Sequence, residues 1–319
     1  MEPIYLASCQ KDGGICTCSL TSSGELCQQS FFPADSPMYL ARDGESLWAL
    51  LLAPDGKKGC SGLMRYHIRP DGSLCDPVDC GSTGGVEACH LLAEDGQVWC
   101  VNYDSGSVLR FPDKLVQHTG HSSHPRQQSA HPHFVGHLPG TDLLCVCDLG
   151  EDAVIVYDRQ LNPVSRVQFP AENGPRHLAF SADGKTVYCL CELASQVVVL
   201  SHHGEGKLTI ESAFSTLPQD FCGENIAAAV RLSKDEKFLY ASNRGHDSIA
   251  AFRVDGASLT RVGIVSCEGE VPRDFNLYGE FLLCANEASD SVTSFRIGPD
   301  GLPVFTGHRL QMACPRAVL

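Results

Sequence analysis

Short apolar runs follow one another along the whole chain, each closed by a polar turn, and helical periodicity is nearly absent. The runs recur as one phrase: a Pro-led apolar strand, a Ser-x-Asp-Gly turn, four or five apolar residues, a small polar loop, then an alternating strand. Residues 175–200 read PRHLAFSADGKTVYCLCELASQVVVL, and similar phrases occupy 227–254, 272–297, 132–158 and 88–111. Two fainter copies lie at 38–52 and 4–20. The end of each unit's second strand falls at Ser8, Leu51, Asn102, Asp148, Cys191, Asn243 and Asn286, in steps of 43 to 52 residues. Turns such as Asp183-Gly184 and Asp95-Gly96 join antiparallel strands. About four short strands per unit, at this period, predict an all-β chain folded as a seven-bladed β-propeller. One domain then spans 1–319, and the segment 310–319 is expected to pair with the N-terminal strands and close the ring.

Charge narrows the partners. Lys plus Arg is 24 and Asp plus Glu is 38, for a net charge of −14. So acidic a chain is poorly suited to nucleic acid or an anionic membrane. A local cluster of arginines still permits a small anionic ligand. No apolar run reaches the length of a membrane span, and the opening residues MEPIYLASCQKDGG lack a basic and apolar leader pattern. The expected setting is therefore cytoplasmic, and the expected state a monomer or weak homodimer.

The 17 cysteines suit a reducing compartment. Many stand two apart, as Cys16 with Cys18, Cys145 with Cys147, and Cys189 with Cys191, which places each pair on one face of a strand. Between apolar neighbours these act as small hydrophobes. No paired Cys-x-x-Cys spacing is present, so no metal is expected there.

The first two strands of a unit run antiparallel, so the start of one and the end of the next share a rim. Unusual residues gather at those two places: His133, Arg176, His177 and Arg273 at the starts, and Asp148, Glu192, Asn243, Arg244 and Glu287 at the ends. In a ring these positions converge on the central channel, as a candidate site for an anion or, alternatively, as ordinary rim ion pairs. One stretch breaks the rhythm: 112–130, PDKLVQHTGHSSHPRQQSA, reads as a long polar insertion. Its histidines and those beyond it (His118, His121, His124, His131, His133) have no ligand spacing, so again no metal is expected.

Several stretches resemble the propeller-type lactonase family, which includes bacterial 6-phosphogluconolactonases and fungal carboxy-cis,cis-muconate cyclases. They are NYDSGSV (102–108), RQQSAHPHFV (126–135), DLGEDAVIVYD (148–158), GPRHLAFSADG (174–184), SNRGHDSIAAFRV (242–254) and PRDF (272–275). The resemblance covers nearly the whole chain. It implies a catalytic set of a His, two Arg and a Glu, which falls on His133, Arg176, Arg244 and Glu192. It departs from the family where the usual Asn before the Glu is Cys191. It implies lactone hydrolysis without a cofactor, with 6-phosphoglucono-1,5-lactone of the pentose phosphate route as leading substrate. Arg126, His131, Asp148, His177, Asn243, His246 and Arg273 are the candidates for assisting in substrate binding. The alternatives are a carboxymuconate-lactonising enzyme and a non-enzymatic scaffold for protein partners. Hydrolysis needs a base and oxyanion donors. His133 or Glu192 is the base candidate, with the preference on His133, because a Glu beside Arg stays ionised. No Gly-x-Ser-x-Gly elbow is present.

Overall fold

The computed structural model describes residues 2–52 and 59–319. It contains 28 strands in seven four-stranded antiparallel sheets, and no helix among the described residues. Blade 1 is assembled from both chain ends. Its innermost strand is β28 (Pro315–Val318), which pairs with β1 (Ile4–Ser8), followed by β2 (Gly14–Leu20) and β3 (Leu26–Pro33). Closure thus uses the last few residues only. Leu310 and Gln311 finish β27 (Pro303–Gln311), the outer strand of blade 7.

The other innermost strands are β4 (Pro37–Asp43), β8 (Ala88–Glu94), β12 (Pro132–Leu138), β16 (Pro175–Phe180), β20 (Ile226–Leu232) and β24 (Pro272–Tyr278). The second strand of each blade is sandwiched between neighbouring blades and is buried on both faces. In β17 (Thr186–Cys191) and β13 (Leu143–Asp148), every residue but the first is buried. The outer strands alternate instead, as β19 (Leu208–Ser215) does.

The recurring Ser-x-Asp phrase has a physical reason. Ser181 Oγ donates to Asp183 Oδ1 at 2.8 Å and accepts from Thr186 N–H at 2.9 Å. Ser233 repeats both bonds with Asp235 and Phe238, at 2.7 and 3.0 Å. Each turn needs a left-handed residue: Gly184 has φ +66°, and Glu236 takes φ +58° where glycine would be easier.

All 17 cysteines are free thiols, and most are buried. Cys145, Cys147, Cys189 and Cys191 are fully enclosed in the core between blades 4 and 5. The polar insertion is more ordered than its composition suggests. Residues Lys114–Gln117 form β11, which pairs with β10 (Ser107–Phe111) as the outer strand of blade 3.

Candidate functional site

Every innermost strand carries an irregularity near its start, in six blades just after the first paired residue and in blade 6 one residue later. Pro132 pairs with Asp148 and Phe134 with Cys147, leaving His133 unpaired between them. Arg176, Arg273, Met38, Cys89 and Arg316 occupy the same place in their blades. In blade 6, Ala228 and Ala229 stand opposite Ser242. A bulge re-aims a side chain out of the pleat. Here six such side chains turn into the central channel, and five of them line a cavity of about 230 Å³ at its mouth. Arg176, the sixth, lies just below, against a smaller void.

A second ring comes from the residue that follows each second strand's landmark position. Leu52, Tyr103, Glu192 and Arg244 line the same cavity, and Glu287 borders the adjoining groove. The landmark residues themselves point the other way, because side chains alternate along a strand. Asp148 and Asn243 are therefore corrected from ligand-facing to structural. Asp148 Oδ1 accepts the His131 and Glu151 N–H groups at 2.8 and 3.0 Å, and its Oδ2 meets His118 Nδ1 at 2.6 Å. Asn243 Nδ2 donates to Thr216 O and Ser248 Oγ.

Glu192 organises the polar half of the cavity. Its Oε2 lies 2.7 Å from Arg176 Nε and 3.0 Å from Arg244 Nη2, and its Oε1 lies 2.5 Å from Arg126 Nη1. Arg176 Nη1 also donates to Ala228 O, and Arg244 Nη2 to Ala227 O at 3.1 Å. Glu287 holds a second pair, Arg273 at 3.2 Å and Arg316 at 2.7 Å. The cavity itself is lined by Arg126, Arg244, Arg273 and Arg316 against Glu87 and Glu192, a local positive excess in an acidic protein. The apolar part of the lining comes from Met38, Leu52, Cys89 and the ring of Tyr103.

The electrostatics separate the roles. Burial alone would raise the Glu192 carboxyl, but Arg244, Arg176 and Arg126 outweigh it and hold it well below the usual carboxylate range. Burial, then Arg176, push His133 well below the usual imidazole value, so the ring is neutral at neutral pH. Its Nδ1 lies 3.8 Å from the Cys89 thiol, which burial raises to about 12. A neutral imidazole in a cavity is a proton acceptor, whereas Glu192 is a fixed negative charge.

The remaining expected residues divide. Arg126 and Arg273 line the cavity beside His133, Glu192 and Arg244. His177 lies one layer deeper, 3% exposed, packed among His90, His133 and Phe134, and burial with Arg176 keeps it neutral too. His131 stacks on Tyr103 at 4.3 Å, and its Nδ1 lies 2.9 Å from Tyr103 O, so it braces the wall rather than lining it. His246 is directed to Ser248 Oγ at 2.7 Å, away from the cavity. Sequence reasoning missed Arg316, Tyr103, Met38, Leu52 and Cys89. The signal for Arg316 was present, since Pro315-Arg316 repeats Pro175-Arg176 and Pro272-Arg273.

His118 belongs to a separate cluster with Asp148 and Glu151, whose ligand-type atoms lie within 4.8 Å of one another. Hydrogen bonds account for it: His118 Nε2 meets Tyr157 OH at 2.8 Å, and Glu151 takes the Gly120 N–H and Arg166. The cluster staples the inserted loop to blade 4.

Residues 3–319 match the family described as "Lactonase, 7-bladed beta-propeller". An uncharacterized protein of Lactococcus lactis subsp. cremoris is 35% identical over 281 residues, covering 82% of this chain and 80% of its own. Among solved structures, the periplasmic gluconolactonase of Pseudomonas aeruginosa is similar with a TM-score of 0.88 at 30% identity, covering 99% of this chain and 98% of its own. A Bacteroides uniformis protein, assigned provisionally as a 6-phosphogluconolactonase, has a TM-score of 0.88 at 26% identity, covering 100% and 99%.

Proposed function

The chain belongs to the seven-bladed β-propeller lactonase family, and we propose that it hydrolyses 6-phosphoglucono-1,5-lactone to 6-phosphogluconate in the cytoplasm. The observation that carries this reading is the neutral His133 beside an arginine cluster fixed by Glu192, in one cavity of about 230 Å³. His133 takes a proton from water as the water oxygen attacks the lactone carbonyl carbon. The carbonyl oxygen becomes an oxyanion, which Arg244 stabilises with Arg176 behind it. Collapse breaks the bond to the ring oxygen, which receives the proton from His133 and leaves as a hydroxyl. The new carboxylic acid loses its proton to solvent. Arg273 and Arg316 add the positive charge that favours an anionic substrate.

A second reading has its own observation. The apolar lining of Met38, Leu52 and Cys89 suits a less hydroxylated acid, such as a carboxylated muconate or its lactone. The scaffold reading has less support. Among the described residues, the exposed large hydrophobics Phe31, Val78, Leu115, Val164 and Val304 sit one each on the outer strands of five different blades. The test is a turnover assay on 6-phosphoglucono-1,5-lactone, glucono-1,5-lactone and a carboxymuconate, repeated with Arg176→Ala. Highest kcat/KM on the phosphorylated lactone, falling at least tenfold in the variant, supports the proposal. Highest turnover of the muconate transfers it to the second reading.

A further inference from the structure

We propose that Arg126 reads the phosphate of the substrate by leaving Glu192 and pairing with that phosphate in the groove outside the cavity. This rests on the lactonase reading of the same site.

Three observations lead there. The first is how the three guanidiniums on Glu192 differ. Arg176 and Arg244 have side chains only 3% and 9% exposed and are each tied to a backbone carbonyl of blade 6. Arg126 keeps 40% of its side chain exposed, and its other bond is to Tyr103 OH at 3.2 Å. Arg126 is thus the most solvent-exposed of the three and the one without a backbone anchor, which makes it the member that can be exchanged. Glu192 then still holds two buried cations and does not become an unpaired buried charge.

The second observation is the backbone beneath Arg126. It enters on the inserted loop, but the loop is pinned on both sides. Gly120 N–H donates to Glu151 Oε1 at 2.9 Å, and Gln127 Nε2 donates to Leu149 O at 2.7 Å. Ser122 N–H donates to Gln127 O at 2.9 Å. A swing of Arg126 is therefore a side-chain motion on a fixed base.

The third is position. Arg126 borders both the inner cavity of about 230 Å³ and an outer groove of about 730 Å³. The two spaces share Arg126, Arg244 and Arg273. The groove adds apolar Leu193, Ile226 and Val271, along with Glu224 and Glu287. Arg244 and Arg273 have side chains only 9% and 19% exposed, so Arg126 is the most accessible guanidinium that an anion entering the groove meets. Its planar fork matches two phosphate oxygens. The substrate class that fits is a lactone whose ring occupies the inner cavity while a phosphate on a flexible carbon reaches the groove.

The experiment compares kcat/KM for 6-phosphoglucono-1,5-lactone and unphosphorylated glucono-1,5-lactone in the wild type, Arg126→Ala and Arg126→Lys. The expected result is at least a tenfold fall in the preference for the phosphorylated substrate in Arg126→Ala, carried mainly by KM, with part of it regained in Arg126→Lys. Equal losses on both substrates would overturn the proposal and leave Arg126 as a support for Glu192. Should the wild type open neither lactone, the functional reading fails, and calorimetric titration with 6-phosphogluconate decides the role of Arg126 alone. Binding at least tenfold weaker in Arg126→Ala upholds it; equal binding, or none to the wild type, refutes it.

Discussion

Glu192→Gln is the most informative single change. It keeps the side-chain volume and one carbonyl oxygen but removes the charge that three arginines share. The Arg126 contact is open to solvent on the arginine side, so its loss contributes less than that of either buried pair. Arg176 and Arg244 are buried and would be left facing each other without a counter-charge. Breaking a buried pair on one side costs about 3–5 kcal/mol. For a chain of this size, at roughly 2 °C per kcal/mol, the melting temperature should fall by about 6–10 °C. Turnover should fall too, because the guanidinium that stabilises the oxyanion loses its anchor; removal of one such donor typically costs about 10²–10³ in kcat. Thermal denaturation and steady-state kinetics on the same preparation read both effects. A double variant, Glu192→Gln with Arg176→Met, should lose less stability than the two single losses added, since it removes one of the stranded charges. A melting temperature within 1 °C or so of wild type, or strict additivity in the double variant, would refute the view of Glu192 as the keystone of the cluster.

Other consequences are independent of this one. Because burial and Arg176 push His133 below the usual imidazole value, the base stays deprotonated as pH falls through 6.5. The acid limb of kcat/KM should therefore lie below pH 6.5, and an apparent pKa at or above that value would exclude His133 as the free-enzyme base. His90, His133 and His177 are all held neutral in the fold, so the unfolded chain binds more protons below pH 6.5 and stability should decline as pH falls through that range. Denaturant midpoints flat from pH 7.5 to 5 would contradict this. Arg316→Ala removes one of the two cations on Glu287 and should lower kcat/KM on the phosphorylated lactone about tenfold; an unchanged value would place Arg316 in ring closure alone. Gly150→Ala would put a methyl 1.9 Å from Ser129 O, where the inserted loop crosses blade 4. It should cost about 1–3 kcal/mol and expose the loop to limited proteolysis, and wild-type stability would refute the tight approach.

The ring was legible because the doubly buried second strand recurs from blade to blade, with the Ser-x-Asp turn in blades 5 and 6 and alternating outer strands such as β19. The catalytic candidates were legible because charged residues are conspicuous beside buried strands, as Arg176 and Glu192 are. The layer they occupy was not. Assigning the last residue of the second strand to the rim placed Asp148 and Asn243 in the site, whereas alternation turns them inward and hands the cavity to the next residue, as with Tyr103 after Asn102. The bulges that aim His133 and Arg316 into the channel leave no mark beyond a preceding proline, and at Cys89 not even that. Arg316 was hidden further, because its blade is completed across the chain ends and no local repeat surrounds it. In the inserted loop, β11 is only four residues long and too short to show its period.

In the proposed mechanism, His133, in the cavity at the channel mouth, drives lactone opening. Initial rates of 6-phosphoglucono-1,5-lactone hydrolysis by the wild type and by His133→Asn, measured at neutral pH above the spontaneous background, test it most directly. We expect saturable turnover for the wild type and a loss in kcat of about 10²-fold or more in the variant, the scale of general-base catalysis. Wild-type turnover matched by His133→Asn would contradict it.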